Sequence, residues 1–85
     1  MILVDDAVWQ WRGRRWAHLV SDISYEELHE FAAILGVPRR AFQGDHYDIP
    51  SDYRDEAIAQ GASPVGSREL LRRLVDAGLR RRKAG

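Results

Sequence analysis

Eighty-five residues, 45% hydrophobic and 31% charged with a net charge of zero, are enough for one small globular domain and are unlike a disordered chain. The absence of cysteine excludes disulfides, thiolate nucleophiles and cysteine-based zinc sites. No apolar run approaches the ~20 residues of a membrane span and the start lacks a signal-peptide pattern, so the expected location is the cytoplasm.

A core this small supplies about 3–5 kcal/mol of net stability, to which an oligomer interface, a metal or a ligand can add. Charge is unevenly placed. Residues 23–67 carry eight acidic and three basic side chains, residues 68–85 carry two acidic and seven basic, and the first 22 residues carry three of each. The basic end, Arg72-Arg73 and then Arg80-Arg81-Arg82-Lys83, reads as a solvated helix face with a frayed tail, or as a contact for phosphate or nucleic acid.

Ile2-Leu3-Val4 is short and apolar and predicts a strand that ends in Asp5-Asp6. Ala7 to Arg15 is dense in tryptophan and arginine. If this segment is extended, Trp9 and Trp11 share one side, and Gly13 interrupts it. Trp16 to Val20 predicts a second strand with Trp16, His18 and Val20 on one face and Ala17 and Leu19 on the other. Ser24 with Glu27 forms a capping box opening a helix, and Ile23 is placed to staple against Leu28. Leu28, Phe31, Ala32 and Leu35 give that helix its apolar stripe, and Gly36 stops it.

Val37 to Pro50 is a loop of about 14 residues, a length that usually carries function. Phe42 and Tyr47 should anchor it, and Tyr47-Asp48-Ile49 has the composition of a short paired segment. Ser51 is expected to cap a second helix over about 52–60 that Gly61 ends. Ala62 to Val65 predicts an edge strand, with Pro64 at a position an edge tolerates. Ser67 is expected to cap a third helix with Leu70, Leu71, Leu74 and Val75 inward, closed by Gly78. These elements predict an α/β fold, a small single-domain layered structure over residues 1–79 followed by a basic tail at 80–85. It should have a short mixed sheet of about three strands, with the first and last parallel, and three helices.

Asp45-His46-Tyr47-Asp48 concentrates proton carriers, metal ligands and hydrogen-bond donors within the loop. An imidazole flanked by carboxylates is oriented and made more basic by them. His18 reads either as a satisfied core histidine or as a partner of that loop, and His29 as a boundary residue against Tyr25. A metal needs at least three convergent ligands, but no two histidines lie at the i, i+4 spacing that would supply geometry from sequence alone. Asp5-Asp6 is either a turn former or one side of a divalent-metal site. Gly66-Ser67-Arg68 at a helix start offers backbone N–H groups, a hydroxyl and a guanidinium to a phosphate, and Arg39-Arg40 can add to it. Trp9, Trp11 and Trp16 beside Arg12, Arg14 and Arg15 have the composition of a base-stacking surface, although tryptophans in so small a chain more often form core or interface.

The joint pattern of Asp5-Asp6, Trp16-x-His18-Leu19, Ser21-Asp22, Glu27-Leu28-His29-x-Phe31-Ala32, Leu35-Gly36, Arg39, Phe42, His46-Tyr47-Asp48, Gly61-Ala62 and Ser67-Arg68-Glu69 resembles domain of unknown function 4031, a family of short bacterial and phage proteins. The resemblance implies a complete small protein and, through its phage members, a nucleotide, nucleic-acid or host-interaction role. It also gathers Asp5, His18, Asp22, His29, His46, Asp48 and Arg68 as polar positions that could converge at one end of a sheet.

The resulting expectation is a pocket for a phosphate-containing ligand, a nucleotide or nucleic acid, with metal-dependent phosphoester hydrolysis as its catalytic version. His46, Asp48 and His18 are the expected catalytic groups, with His46 or His18 as general base. Tyr47, Arg39, Ser67 and Arg68 are the expected ligand-binding groups. Asp5, Asp48 and His46 are the expected ligands to a magnesium, manganese or zinc ion. The alternative is a non-catalytic homodimeric module that meets a protein or nucleic-acid partner through its tryptophans and arginines.

Overall fold

The longest strand, β3 (Arg14–Ser21), organises a mixed sheet in a computed structural model that describes residues 1–6 and 9–81. On one edge it pairs antiparallel with β4 (Tyr47–Pro50), with His18 opposite Asp48 and Leu19 opposite Tyr47. On its other edge it pairs antiparallel with β1 (Ile2–Val4), from Ile2↔Ser21 to Val4↔Leu19, and with β2 (Trp9–Trp11), from Trp9↔Trp16 to Trp11↔Arg14. Asp5 continues from β1 with its N–H donating to the His18 carbonyl at 3.2 Å, while its carboxylate, rather than its carbonyl, accepts the His18 N–H at 2.6 Å. The short β5 (Ser63–Pro64) adds parallel to β1, as expected for the first and last strands.

The sheet therefore has five strands rather than about three. The discrepancy lies in β2 and β4. All three residues of β2 are exposed, so no apolar alternation marks it. Its pairing is set by a tight turn at Arg12 and Gly13, whose φ angles of 52° and 74° match the two positive positions of a type I′ hairpin. Arginine rarely occupies the first of these.

Alternation along β3 divides the core as expected. Ala17 and Leu19 join Ile2, Val4, Tyr47 and Ile49 beneath α1 (Tyr25–Leu35) and α2 (Ser51–Ala59). Val20 joins Leu3 on the opposite face, beneath Leu70 and Leu74 of α3 (Ser67–Asp76). Leu71 and Val75, expected inward, are 42% and 53% exposed, because α3 turns a narrow stripe to the sheet. It covers only the Leu3–Val20 end. The rest of that face carries Trp9, Trp16 and His18, with Trp9 and Trp16 opposite each other in register.

The start of α1 keeps half of the expected capping box. Ser24 Oγ accepts the Glu27 N–H at 3.1 Å, but Glu27 reaches Ser21 Oγ at 2.7 Å, and Ser21 Oγ in turn accepts the Ser24 N–H at 3.2 Å. Ile23 is 64% exposed and staples nothing. Gly36 closes the helix in the left-handed region at φ 81°. Replacing Ser24 by alanine is expected to cost about 1 kcal/mol, measurable as a lower urea midpoint at unchanged slope. The caps expected at Ser51 and Ser67 are not there. Each serine is the first residue of its helix, behind Pro50 and Gly66, and neither helix has a side-chain cap. The Ser67 hydroxyl is instead engaged with Asp5 at 3.0 Å.

The long loop is pinned, as Phe42 and Tyr47 suggested. A short 3-10 turn over Arg39–Ala41 leads to a β-bridge between those two residues, and the Gln43 N–H donates to the His46 carbonyl at 2.8 Å. Arg80 and Arg81, expected to begin a tail, dock against this loop: the Arg81 N–H donates to Asp45 Oδ2 at 2.9 Å, and Arg80 Nη1 lies 3.6 Å from the same oxygen. Arg81 also lies over the Tyr25 ring at 5.3 Å. The remaining tail positions, 82–85, lie outside the described residues.

Candidate metal centre

Two histidines are held in the same way. Asp5, 1% exposed, takes the His18 Nδ1 at 2.8 Å through one carboxylate oxygen and the His18 backbone N–H at 2.6 Å through the other, with the Ser67 hydroxyl also donating to it. Asp45, 3% exposed, takes His46 Nδ1 at 2.6 Å. In each pair the carboxylate claims Nδ1 and leaves Nε2 to face elsewhere. Both Nε2 atoms face Asp48: that of His46 lies 3.1 Å from Asp48 Oδ1 and that of His18 lies 4.0 Å from it. Asp48 Oδ1 is buried and has no aligned hydrogen bond among the described residues.

Backbone geometry explains the convergence. His18 and Asp48 are direct cross-strand neighbours on β3 and β4 and therefore share a face. His46 stands just before β4, where the Gln43–His46 turn with Gly44 at φ 89° swings Asp45 beneath its ring. One ligand atom from each of His18, His46 and Asp48 lies within 4.8 Å of the other two. Tetrahedral bonds of about 2.0–2.2 Å to a single ion put ligand atoms about 3.3–3.6 Å apart, a value bracketed by the 3.1 Å and 4.0 Å separations of His46 and His18 from Asp48.

Electrostatics follow the same arrangement. Burial alone would push the Asp5 carboxyl up, but hydrogen bonds from the His18 ring, the His18 backbone and Ser67 outweigh it and hold Asp5 below the usual carboxylate range. Burial would lower His46, but Asp48 and Asp45 together raise it above its ordinary value. The centre opens on a cavity of about 240 Å³ between the sheet and α3, whose lining includes His18, His46, Ser67, Leu70 and Arg80.

Of the seven polar positions grouped by resemblance, Asp5, His18, His46 and Asp48 come together. Asp22 bonds Arg73 at 2.6 Å at the far end of β3. His29 bonds the Tyr47 hydroxyl at 2.7 Å on the other side of the sheet. Arg68 is exposed and is not among the residues that line the cavity. Asp5, expected as a metal ligand, has its oxygens engaged by His18 and Ser67, and it is His18 that lies with His46 and Asp48 in the cluster. Tyr47, expected to bind ligand, is 1% exposed in the core, and Arg39 sits with it on the α1 side, close enough for its charge to act on both His29 and Tyr47. Asp45, Arg80 and Trp9 stood in motifs noted in the sequence but were not assigned to the site. Asp45 could have been found from the glycine before it, because a turn there lets adjacent side chains meet.

His29 is held below 6.5, first by burial and then by the Arg39 charge. A histidine depressed on folding contributes stability that is full above its unfolded value and is lost as pH falls through its lower folded value. His46 is displaced the other way and contributes the opposite slope. The check is therefore comparative: between about pH 7.5 and about pH 5, the urea midpoint of the parent is expected to fall further than that of His29→Gln.

The family described as Protein of unknown function (DUF4031) matches residues 2–77 of the chain. No curated protein and no solved structure matches it.

Proposed function

The chain belongs to the DUF4031 family, whose description assigns no activity, and from the site itself we propose that it is a divalent-metal protein acting on a phosphate-containing ligand, with phosphoester hydrolysis as the reaction. The observation that carries this is the pair of carboxylate-held imidazoles aimed, with the buried Asp48 Oδ1 that no donor is well aligned with, at one point. Three protein ligands beside an open cavity are the arrangement of a catalytic rather than a structural ion. Two nitrogens and one oxygen favour zinc or manganese over magnesium.

A bound ion would polarise a phosphoryl oxygen and acidify a coordinated water. In hydrolysis one P–O bond forms from water, one breaks, and the water proton ends on the departing alcohol. The chain's own groups position the reaction: Asp5 and Asp45 fix the two rings, and Arg80 offers positive charge to an anion in the cavity. His18 and His46 are then ligands through Nε2, which replaces the general-base role read from sequence. Calorimetry with zinc, manganese and magnesium tests the centre. Heat of binding that disappears in Asp48→Asn is the expected result, and no binding at millimolar metal would refute it.

Leu71 and Val75, exposed on one side of α3, support a second reading as a homodimer. Light scattering is expected to give twice the chain mass for the parent and the single mass for a Leu71→Glu, Val75→Lys variant.

A further inference from the structure

We propose that the uncovered half of the sheet is a stacking platform for single-stranded nucleic acid, which presents a backbone phosphate to the metal centre; this deepens the reading above and rests on it. A groove of about 410 Å³ lies against the centre, lined by Trp9, Trp11, Trp16, Ala41, Gln43 and Asp48. Asp48 thus belongs both to the groove and to the ligand set. A base lying on the tryptophans places its adjoining phosphate beside the ion.

The tryptophans are arranged as a surface rather than as a core. Trp9 and Trp11 are 36% and 51% exposed. Trp16 is fixed beneath them by its Nε1–H donating to the Trp11 carbonyl at 3.0 Å, with ring centroids 6.3 Å from Trp9 and 5.9 Å from Trp11. Trp9 is stacked parallel on His18, 5.4 Å away and within 6° of its plane, so one indole directly abuts a metal-facing imidazole.

Charge selects the occupant. Arg12 lies 4.6 Å from the centre of the Trp11 ring, held there by the positive φ of the hairpin turn. Arg14 stands at the same hairpin and has only a loose, exposed contact with Asp52 at 3.8 Å. Aromatic faces interleaved with guanidinium groups recognise stacked bases and a polyanionic backbone together, with little sequence preference. A base pair in a duplex has both faces covered by its neighbours, so the platform requires a single strand.

The test measures binding of fluorescent 15-mers of deoxythymidylate and of uridylate, and of a 15-base-pair duplex, at low salt with a chelator present. Single strands are expected to bind, and the duplex at least about 10-fold more weakly. Trp11→Ala, at an exposed position, is expected to weaken binding about 5- to 100-fold, and Trp11→Phe to recover most of it. Arg12→Gln is expected to lower the salt slope by about 1. A deoxyuridylate 15-mer, which differs from uridylate in the sugar alone, identifies which sugar is preferred.

Parent-like binding by Trp11→Ala, or equal affinity for duplex and single strand, would overturn the platform. So would a doubled mass in light scattering that Trp11→Ala, rather than the Leu71→Glu, Val75→Lys variant, returns to the single mass. Because binding is read without metal, its loss beside intact zinc calorimetry refutes the platform alone. Intact binding beside absent zinc calorimetry refutes the metal centre.

Discussion

Zinc or manganese at one hundred times its dissociation constant is expected to raise the thermal midpoint by about 10–20 °C. The size follows from linkage. A ligand that binds only the folded state at that excess adds about 2.7 kcal/mol, and each kcal/mol shifts the midpoint of a domain this size by about 4–8 °C. His46→Ala and Asp48→Asn remove a ligand and are expected to abolish the shift. Asp5→Asn and Asp45→Asn leave all three ligands in place and loosen the rings, so affinity should fall about 10- to 100-fold while the shift survives at higher metal concentration. Without metal, Asp48→Asn is expected to melt somewhat lower than the parent where His46 is protonated, because it removes the carboxylate that lies 3.1 Å from His46 Nε2 and raises that histidine. Differential scanning fluorimetry across a metal titration separates these behaviours. If all four variants kept the parental shift, the ion would bind elsewhere.

Those four residues also mark how far the sequence can be read. Alternation along Trp16–Val20 placed His18 and Leu19 on opposite faces, and the periodicity of Leu28, Phe31 and Ala32 placed α1 against the core; both depend on local spacing alone. The pairing of His18 with Asp48 depends on β3 meeting β4 in one particular register, 30 residues apart in sequence, and a one-residue slip would turn Asp48 into the core. The role of Asp5 depends on the end of β1 meeting His18, 13 positions away in sequence, which no composition signals. Ser67 reads as a cap by residue type, yet its hydroxyl serves a carboxylate 62 positions earlier. Side chains that share an element were thus legible, and those that meet between elements were legible only as candidates.

Tyr47→Ala is expected to leave little folded protein at 25 °C. Tyr47 is the largest fully buried side chain, with its ring 5.4 Å from Phe42 and 5.8 Å from His29. Removing a ring of this size costs about 3–5 kcal/mol. A domain this small has about that much stability in total. The same residue separates His46 from Asp48, and its burial sends both neighbours to the opposite face of β4, so the core contact and the metal geometry are two consequences of one strand placement. Tyr47→Phe distinguishes scaffold from ligand. It keeps the ring and leaves His29 Nδ1 without its hydroxyl partner, for a loss of about 1–3 kcal/mol. The variant should still fold and should bind zinc with parental affinity. A folded Tyr47→Phe that no longer binds zinc would put the hydroxyl itself in the site, and the core would then be doing less to shape the centre than the register of β3 and β4 implies.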